Sequence, residues 1–205
     1  MAGSGRSLRA EARTYTGWQL QLAPESHRTL GGQQRDMTMK IDNDHMFHGA
    51  ALTQIAQDPH FTAINAIKLN GVVSDSTFRI NNDIGIHVKY CSIKPVGRYR
   101  EYPFSFSQAH LDHLQELAKA TDRVFVALVC VKAREICCLS HGELQELVNR
   151  RRRAIGRPEA QYRIPVTLAH HGRFRVYVDQ PRKKGTTIGD AILVARNAFP
   201  KRLFE

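Results

Sequence analysis

Apolar residues alternate at Phe78 and Ile80, and again at Ile84, Ile86 and Val88, with Asn81-Asn82-Asp83 between the two runs. Alternation at period two marks a half-buried strand, and clustered Asn and Asp mark a turn. All five apolar positions are even-numbered, so burying them on one face requires even residues to sit opposite even residues. A three-residue loop does this. It pairs Ile80 with Ile84 and Phe78 with Ile86, and Asn tolerates the left-handed backbone such loops need. The same register sets Thr77 opposite His87 and Asp75 opposite Lys89 on the other face, where opposed Cβ atoms lie roughly 4.5–5.5 Å apart.

The remaining chain divides by the same reasoning. Phe47, Ala51 and Ile55 recur at helical spacing, which predicts a helix from about Asp44 to Asp58, stopped by Pro59. Thr62–Leu69 reads as a buried strand, and residues 92–103 as a loop. Ser107 caps a helix running to about Thr121, with Leu111, Leu114 and Leu117 inward. Val124–Val131 is a buried strand that pairs with Ile136–Leu139, and a turn at Ala133-Arg134 sets Cys130 across from Cys137. Ser140-His-Gly-Glu143 is a capping box opening a helix with Leu144, Leu147 and Val148, which ends in Arg150–Arg153. In a last hairpin Tyr162, Ile164, Val166 and Leu168 alternate, His170-His171-Gly172 turns, and Phe174, Val176 and Val178 return. Pro165 within it predicts an edge strand. Residues 1–38 show no sustained period and read as a loosely ordered extension in front of a core at 39–145, with a basic extension at 146–205 packed on that core.

With 205 residues and 42% hydrophobic content, the chain can bury one good core. The longest purely apolar run, Val124–Val131, is far too short to span a bilayer. Arg6, Arg9 and Arg13 precede no apolar stretch, so a secretory signal is not expected and the cytoplasm is the expected compartment. Cys91, Cys130, Cys137 and Cys138 lack CxxC spacing, which disfavours a zinc or redox motif and leaves buried, reduced thiols.

Charge is distributed unevenly. Residues 1–38 carry five basic and three acidic groups, residues 39–145 carry eleven of each, and residues 146–205 carry fourteen basic against five acidic. A neutral core with a basic last third points to an anionic partner, nucleic acid first and an acidic protein or membrane surface second. The candidate contacts are Lys94, Arg98 and Arg100, interleaved with Tyr99 and Tyr102; Arg150, Arg151, Arg152 and Arg153; Arg173 and Arg175, on one hairpin face with Tyr177; and Lys183 and Lys184. Arginine beside aromatics suits phosphate contact with base stacking. Lys183-Lys184-Gly185-Thr186-Thr187 lacks the residue order of a nucleotide-phosphate loop. His45 and His48, like His110 and His113, repeat at i, i+3 and read as solvent-facing polar residues.

The order helix, strand, strand, strand, helix, strand up to residue 131 resembles the αβββαβ core of the PD-(D/E)xK, or restriction-endonuclease-like, superfamily. The resemblance covers residues 44–131. It implies an α/β (α+β) fold with a mixed sheet, to which the C-terminal helix and β-hairpin are added. Members place an Asp on the second strand and a (D/E)xK pair on the third. Asp75 matches the first and His87-Val-Lys89 the second, with His87 standing where a carboxylate is expected. The resemblance implies a Mg- or Mn-dependent endonuclease acting on nucleic acid, DNA rather than RNA. Asp75 is then a metal ligand, His87 a ligand or base, and Lys89 the group that positions water or steadies the transition state. Asp83 joins the metal only where the turn folds back, since six residues along a strand span about 20 Å. Asp44 is a further carboxylate that the fold has to deliver. Phe47–Leu52, Asn82–Gly85 with Lys89-Tyr90, and Val124–Val131 also resemble bacterial proteins of no assigned function. Three alternatives stand beside the enzyme. Asp75–Lys89 is then an exposed ion pair of roughly 0–1 kcal/mol, the domain is a binding module without catalysis, or the chain is a homodimer or a subunit of a larger complex such as a bacterial defence system.

Overall fold

Asp42 opens the first helix, α1 (Asn43–Ala56), by accepting from the His45 amide, and His45 returns the contact as a capping box. The computed structural model describes residues 40–69, 72–92, 100–168 and 172–205. Expectations that fall on residues 1–38, on Lys94 and Arg98, and on the His170-His171 turn lie outside the described residues.

Three strands follow α1 as an antiparallel meander: β1 (Ile64–Leu69), β2 (Val72–Ile80) and β3 (Ile84–Cys91). The hairpin has the register that parity requires, with Thr77 opposite His87, Phe78 opposite Ile86 and Ile80 opposite Ile84. Asn81 (φ 57°) and Asn82 (φ 150°) take positive φ in the loop. The Asn81 carboxamide also accepts from the Thr62 amide at 2.7 Å and donates to the His60 carbonyl, tying the turn to the start of β1.

The chain then leaves this sheet. β4 (Arg100–Ser107) pairs antiparallel with a strand 54 to 68 residues further on, from Ser107↔Gln161 to Arg100↔Leu168, so the expected loop at 92–103 gives way to a strand from Arg100 onward. Tyr102, Phe104 and Phe106 alternate there and are buried. Burying one large side chain is worth about 1.5–3 kcal/mol, enough to override the strand-breaking tendency of Pro103. Helix α2 (Gln108–Ala120), capped by Ser107, crosses back to β5 (Arg123–Cys130), which runs parallel to β3. β6 (Glu135–Ser140) pairs with β5, and the five-stranded sheet reads β1-β2-β3-β5-β6. Cys130 sits opposite Glu135 and Cys137 opposite Leu128, because residues 131–134 all belong to the connection. All four cysteines are buried.

Helix α3 (His141–Ile155) opens on the Ser140–Glu143 capping box and ends on left-handed Gly156. β7 (Gln161–Leu168), β8 (Phe174–Val176) and β11 (Ile192–Val194) join β4 in a second sheet of order β11-β8-β7-β4. β9 (Asp179–Gln180) and β10 (Lys183–Thr187) form a separate small hairpin, and a 3-10 turn at Lys201–Leu203 closes the chain. The second sheet therefore draws strands from both the 39–145 and the 146–205 segments.

Two expectations about edges are corrected. β1 is an outer strand on which Ile67 is buried while Asn65, Ala66 and Lys68 are exposed. β7 is an inner strand despite Pro165. Pro165 faces Pro103 across the β4–β7 ladder, and its carbonyl accepts from the Tyr177 amide on the other side. The amide hydrogen that proline lacks would thus be directed toward β8, whose ladder stops one pair earlier at Val166–Val176.

The five-stranded sheet has two packed faces. Ile84, Ile86 and Val88 with Phe125, Ala127 and Val129 meet Ala51 and Ile55 of α1 and Phe199 and Leu203 of the chain end. Val124, Val126 and Leu128 belong to the second cluster, with the leucines of α2, Leu144 and Leu147 of α3 and the aromatics of β4. Gly85 permits the tight seat of α2, since a Cβ there would lie 2.6 Å from Leu117 Cγ. These packed faces hold Thr77, His87 and Lys89 in fixed relation to the ends of α1 and α2.

Candidate functional site

The β2–β3 ladder ends at Thr77–His87, although both strands continue. Beyond that pair, among the described residues, β2 ladders with β1 and β3 with β5. At this parting lies a cleft of about 370 Å³. Helix α1 contributes Asp44 and His48, β2 contributes Ser76, β3 contributes His87, Lys89 and Tyr90, and α2 contributes His110.

His87 is 4% exposed. Its Nδ1 lies 3.0 Å from Thr77 Oγ1, and its Nε2 has no partner among the described residues. Burial, followed by the Lys89 ammonium and neighbouring imidazoles, pulls its pKa down to about 3, so the ring is neutral at physiological pH. His110 packs beside it, with ring centroids 5.9 Å apart. The Ser107 amide donates to His110 Nδ1 at 3.1 Å, which leaves the proton of the neutral ring on Nε2. Burial and Lys89 lower the His110 pKa as well.

His48 is buried on α1, and its Nδ1 donates to the Asp75 carbonyl at 3.0 Å. Lys89 is half-buried, with Nζ 5.7 Å from the Phe106 ring centroid. Burial lowers its pKa while Asp44 pulls the other way. A hydrogen bond with Asp44, followed by burial, raises the Tyr90 hydroxyl. Asp44 thus acts electrostatically on both a phenol and an ammonium, and it is the carboxylate among the described residues that line the cleft.

Of the expected catalytic and metal-binding residues, the structure keeps His87 and Lys89 together and separates Asp75 and Asp83. His87 and Lys89 share the cleft. Asp75 is exposed and does not line it, because β2 leaves β3 before the Asp75–Lys89 pair can form. Asp83 pairs with Arg123 at 3.0 Å at the opposite end of β3 from Lys89, so the turn does not fold back. Among the described residues no three His, Cys, Asp or Glu side chains are grouped to hold a metal ion. Magnesium demands oxygen donors in near-octahedral geometry, and manganese favours oxygen with some imidazole. Among the described residues the cleft offers one carboxylate beside an ammonium and buried imidazoles, a donor set that does not fit either ion.

The expected basic contacts are also redistributed. Arg150 donates to Glu146 and to the Asp190 carbonyl. Arg151 grips Glu159 through two nitrogens at 2.7 and 3.0 Å and reaches the Asp179 carbonyl. Arg152 donates to the Tyr162 hydroxyl and to Gln108, and Arg153 to Glu146. The arginine run is thus largely a fastening between α3 and the segments around it. Tyr177 is buried and donates to Glu101, so it does not share an open face with Arg173 and Arg175, both of which are exposed. Lys183 is exposed on β10, beside Lys184, while Arg100 begins β4.

Pattern reading missed His48, Ser76, Tyr90 and His110 as cleft residues. The Ser107–His110 spacing carried a signal, because a histidine at the third helical position can close a capping box from a fixed place. No family model, curated protein or solved structure matches this chain. No helix among the described residues is long and apolar enough to cross a membrane.

Proposed function

We propose that this protein binds the phosphodiester backbone of nucleic acid at the parting of β2 and β3. The observation that carries the reading is Lys89, a partly desolvated ammonium in a polar cleft walled by imidazoles. Burial strengthens the attraction between such a cation and a phosphate relative to the same pair in water. Arg173, Arg175 and Lys183 are exposed cations without an ion pair among the described residues, and they supply the outer, sequence-independent contacts.

The meander β1-β2-β3, the crossover through α2 and the parallel placement of β5 beside β3 support a restriction-endonuclease-like core, with β4 inserted before α2. Metal-dependent cleavage, which that resemblance implies, needs carboxylates that the described residues of this cleft do not gather. Binding without a metal-dependent cut is therefore the reading adopted.

The test is fluorescence anisotropy with single- and double-stranded DNA and RNA over a range of salt. Affinity is expected to fall steeply with salt and to drop in both Lys89→Ala and Arg173→Ala/Arg175→Ala. Salt-insensitive binding, or none, defeats the reading. A parallel incubation with plasmid in Mg²⁺, Mn²⁺ or EDTA is expected to leave the DNA intact.

A further inference from the structure

We infer that the cleft is an oxyanion site that works without a metal, in which the imidazole N–H groups of His87 and His110 and the Lys89 ammonium receive one phosphate group. The inference rests on the phosphate-binding reading above and names the chemistry of the contact.

His87 Nε2 is the key observation. It is a buried polar atom in the cleft wall with no partner among the described residues, and such an atom costs free energy unless a ligand satisfies it. Which partner it needs depends on the tautomer. If His87 Nδ1 carried the hydrogen, it would donate to Thr77 Oγ1. The Thr77 hydroxyl hydrogen and the Nε2 lone pair would then both lack partners. If the Thr77 hydroxyl donates to Nδ1, only the Nε2 hydrogen is unmatched. The second arrangement leaves fewer groups unsatisfied, and it turns an N–H donor toward the cleft.

His110 reaches the same state by a different route. The Ser107 amide occupies its Nδ1, so its neutral ring carries the hydrogen on Nε2. Two N–H donors and an ammonium match the acceptor oxygens of a phosphate, and they do not match a cation, which needs lone pairs. Asp44 lines the same cleft and opposes an incoming anion, offset by its contact with Tyr90 and its attraction to Lys89. Replacing the expected carboxylate by His87 thus changes what the site can hold, from a metal ion to an anion.

Full-length protein carrying ¹⁵N-labelled histidine, held in EDTA and titrated with inorganic phosphate, tests this by long-range ¹H–¹⁵N spectra. Free His87 is expected as the Nε2–H tautomer, with a saturable Nε2 shift on phosphate addition. Lys89→Ala is expected to weaken that response by at least about tenfold, or 1.4 kcal/mol. Thr77→Val removes the hydroxyl donor while leaving Lys89 in place, and is expected to lose the tautomer and the phosphate response together. Thr77→Ser keeps the hydroxyl and retains both. An Nδ1–H tautomer in the free protein, no shift with phosphate, or a shift that requires Mg²⁺ or Mn²⁺ overturns the inference. A short oligonucleotide added last separates the two readings. Phosphate that is bound but not displaced upholds the oxyanion site and rejects the nucleic-acid assignment. Oligonucleotide binding that needs both Lys89 and a divalent ion does the reverse.

Discussion

Arg152 Nε donates to the Tyr162 hydroxyl at 2.8 Å, and its guanidinium stands 5.3 Å from the centre of the same ring. Tyr162 is 1% exposed, and its hydroxyl also accepts from the Glu159 amide. One arginine thus holds α3 against the second sheet through both a charged hydrogen bond and the ring face. Arg152→Ala is expected to cost about 1–3 kcal/mol in urea unfolding, from a charged hydrogen bond and a cation–π contact. Arg153, which is exposed and among the described residues is joined only to Glu146 at 3.3 Å, is the control. Its alanine variant is expected to stay within about 0.5 kcal/mol of the parent. Equal losses at both positions would show that the run acts as undifferentiated surface charge.

Much of the five-stranded sheet was legible because parity is unforgiving. Five even-numbered apolar positions require even residues opposite even ones, and the three-residue Asn81–Asp83 loop then selects the register that Thr77, Phe78 and Ile80 occupy. Helix starts were legible too, since Ser107 and Ser140 announce caps by chemistry alone. What escaped was non-local. The alternation of Tyr102, Phe104 and Phe106 was visible, but Pro103 and the preceding Lys and Arg residues hid a strand whose partner lies some 60 residues on. The parting of β2 from β3 was equally hidden. Alternation tells which way a side chain points, not where a ladder stops, and that stop removes Asp75 from the cleft while the packing of α1 delivers Asp44.

Gly85 faces α2 so closely that a Cβ would meet Leu117 Cγ at 2.6 Å and both of its methyl carbons at 2.8 Å. Leu117 is itself fully buried, so it has little room to yield. Gly85→Ala is expected to destabilise by about 1–3 kcal/mol, the usual cost of overpacking a core. Adding Leu117→Ala is expected to relieve the clash, leaving the double variant more stable than the sum of the two single losses predicts. Strict additivity in denaturant titrations would mean that the two groups do not press on each other.

Asp83 and Asp44, one beside each end of β3, are expected to behave differently. Asp83 is paired with Arg123 on the surface, a contact worth about 0–1 kcal/mol, and it lies away from the cleft. Asp83→Asn is expected to leave nucleic-acid affinity unchanged. Asp44 lines the cleft as a like charge to an entering phosphate, so Asp44→Asn is expected to tighten oligonucleotide binding by several-fold, at about 1 kcal/mol or less. Anisotropy titrations at one fixed salt concentration read both. Weaker binding on neutralising Asp44 would point instead to a carboxylate that takes part in holding the ligand.

His87 ties the stability of the fold to pH. Its folded pKa of about 3 lies below the ordinary imidazole value of about 6.5 that the unfolded chain recovers. Between those values the unfolded state binds more protons than the folded one, so stability rises with pH across that window. The contribution is complete above about pH 6.5 and is lost progressively as pH falls toward 3. Lys89, His110, His48 and His113 face the ring and oppose its protonation in the same direction. Melting temperatures measured from pH 7.5 down to 3.5 are expected to fall through this window, and His87→Phe is expected to flatten the fall. The Phe variant also loses the Thr77 contact, so the slope with pH carries the test and not the absolute value. Parallel slopes for the two proteins would mean that His87 keeps an ordinary pKa despite its burial.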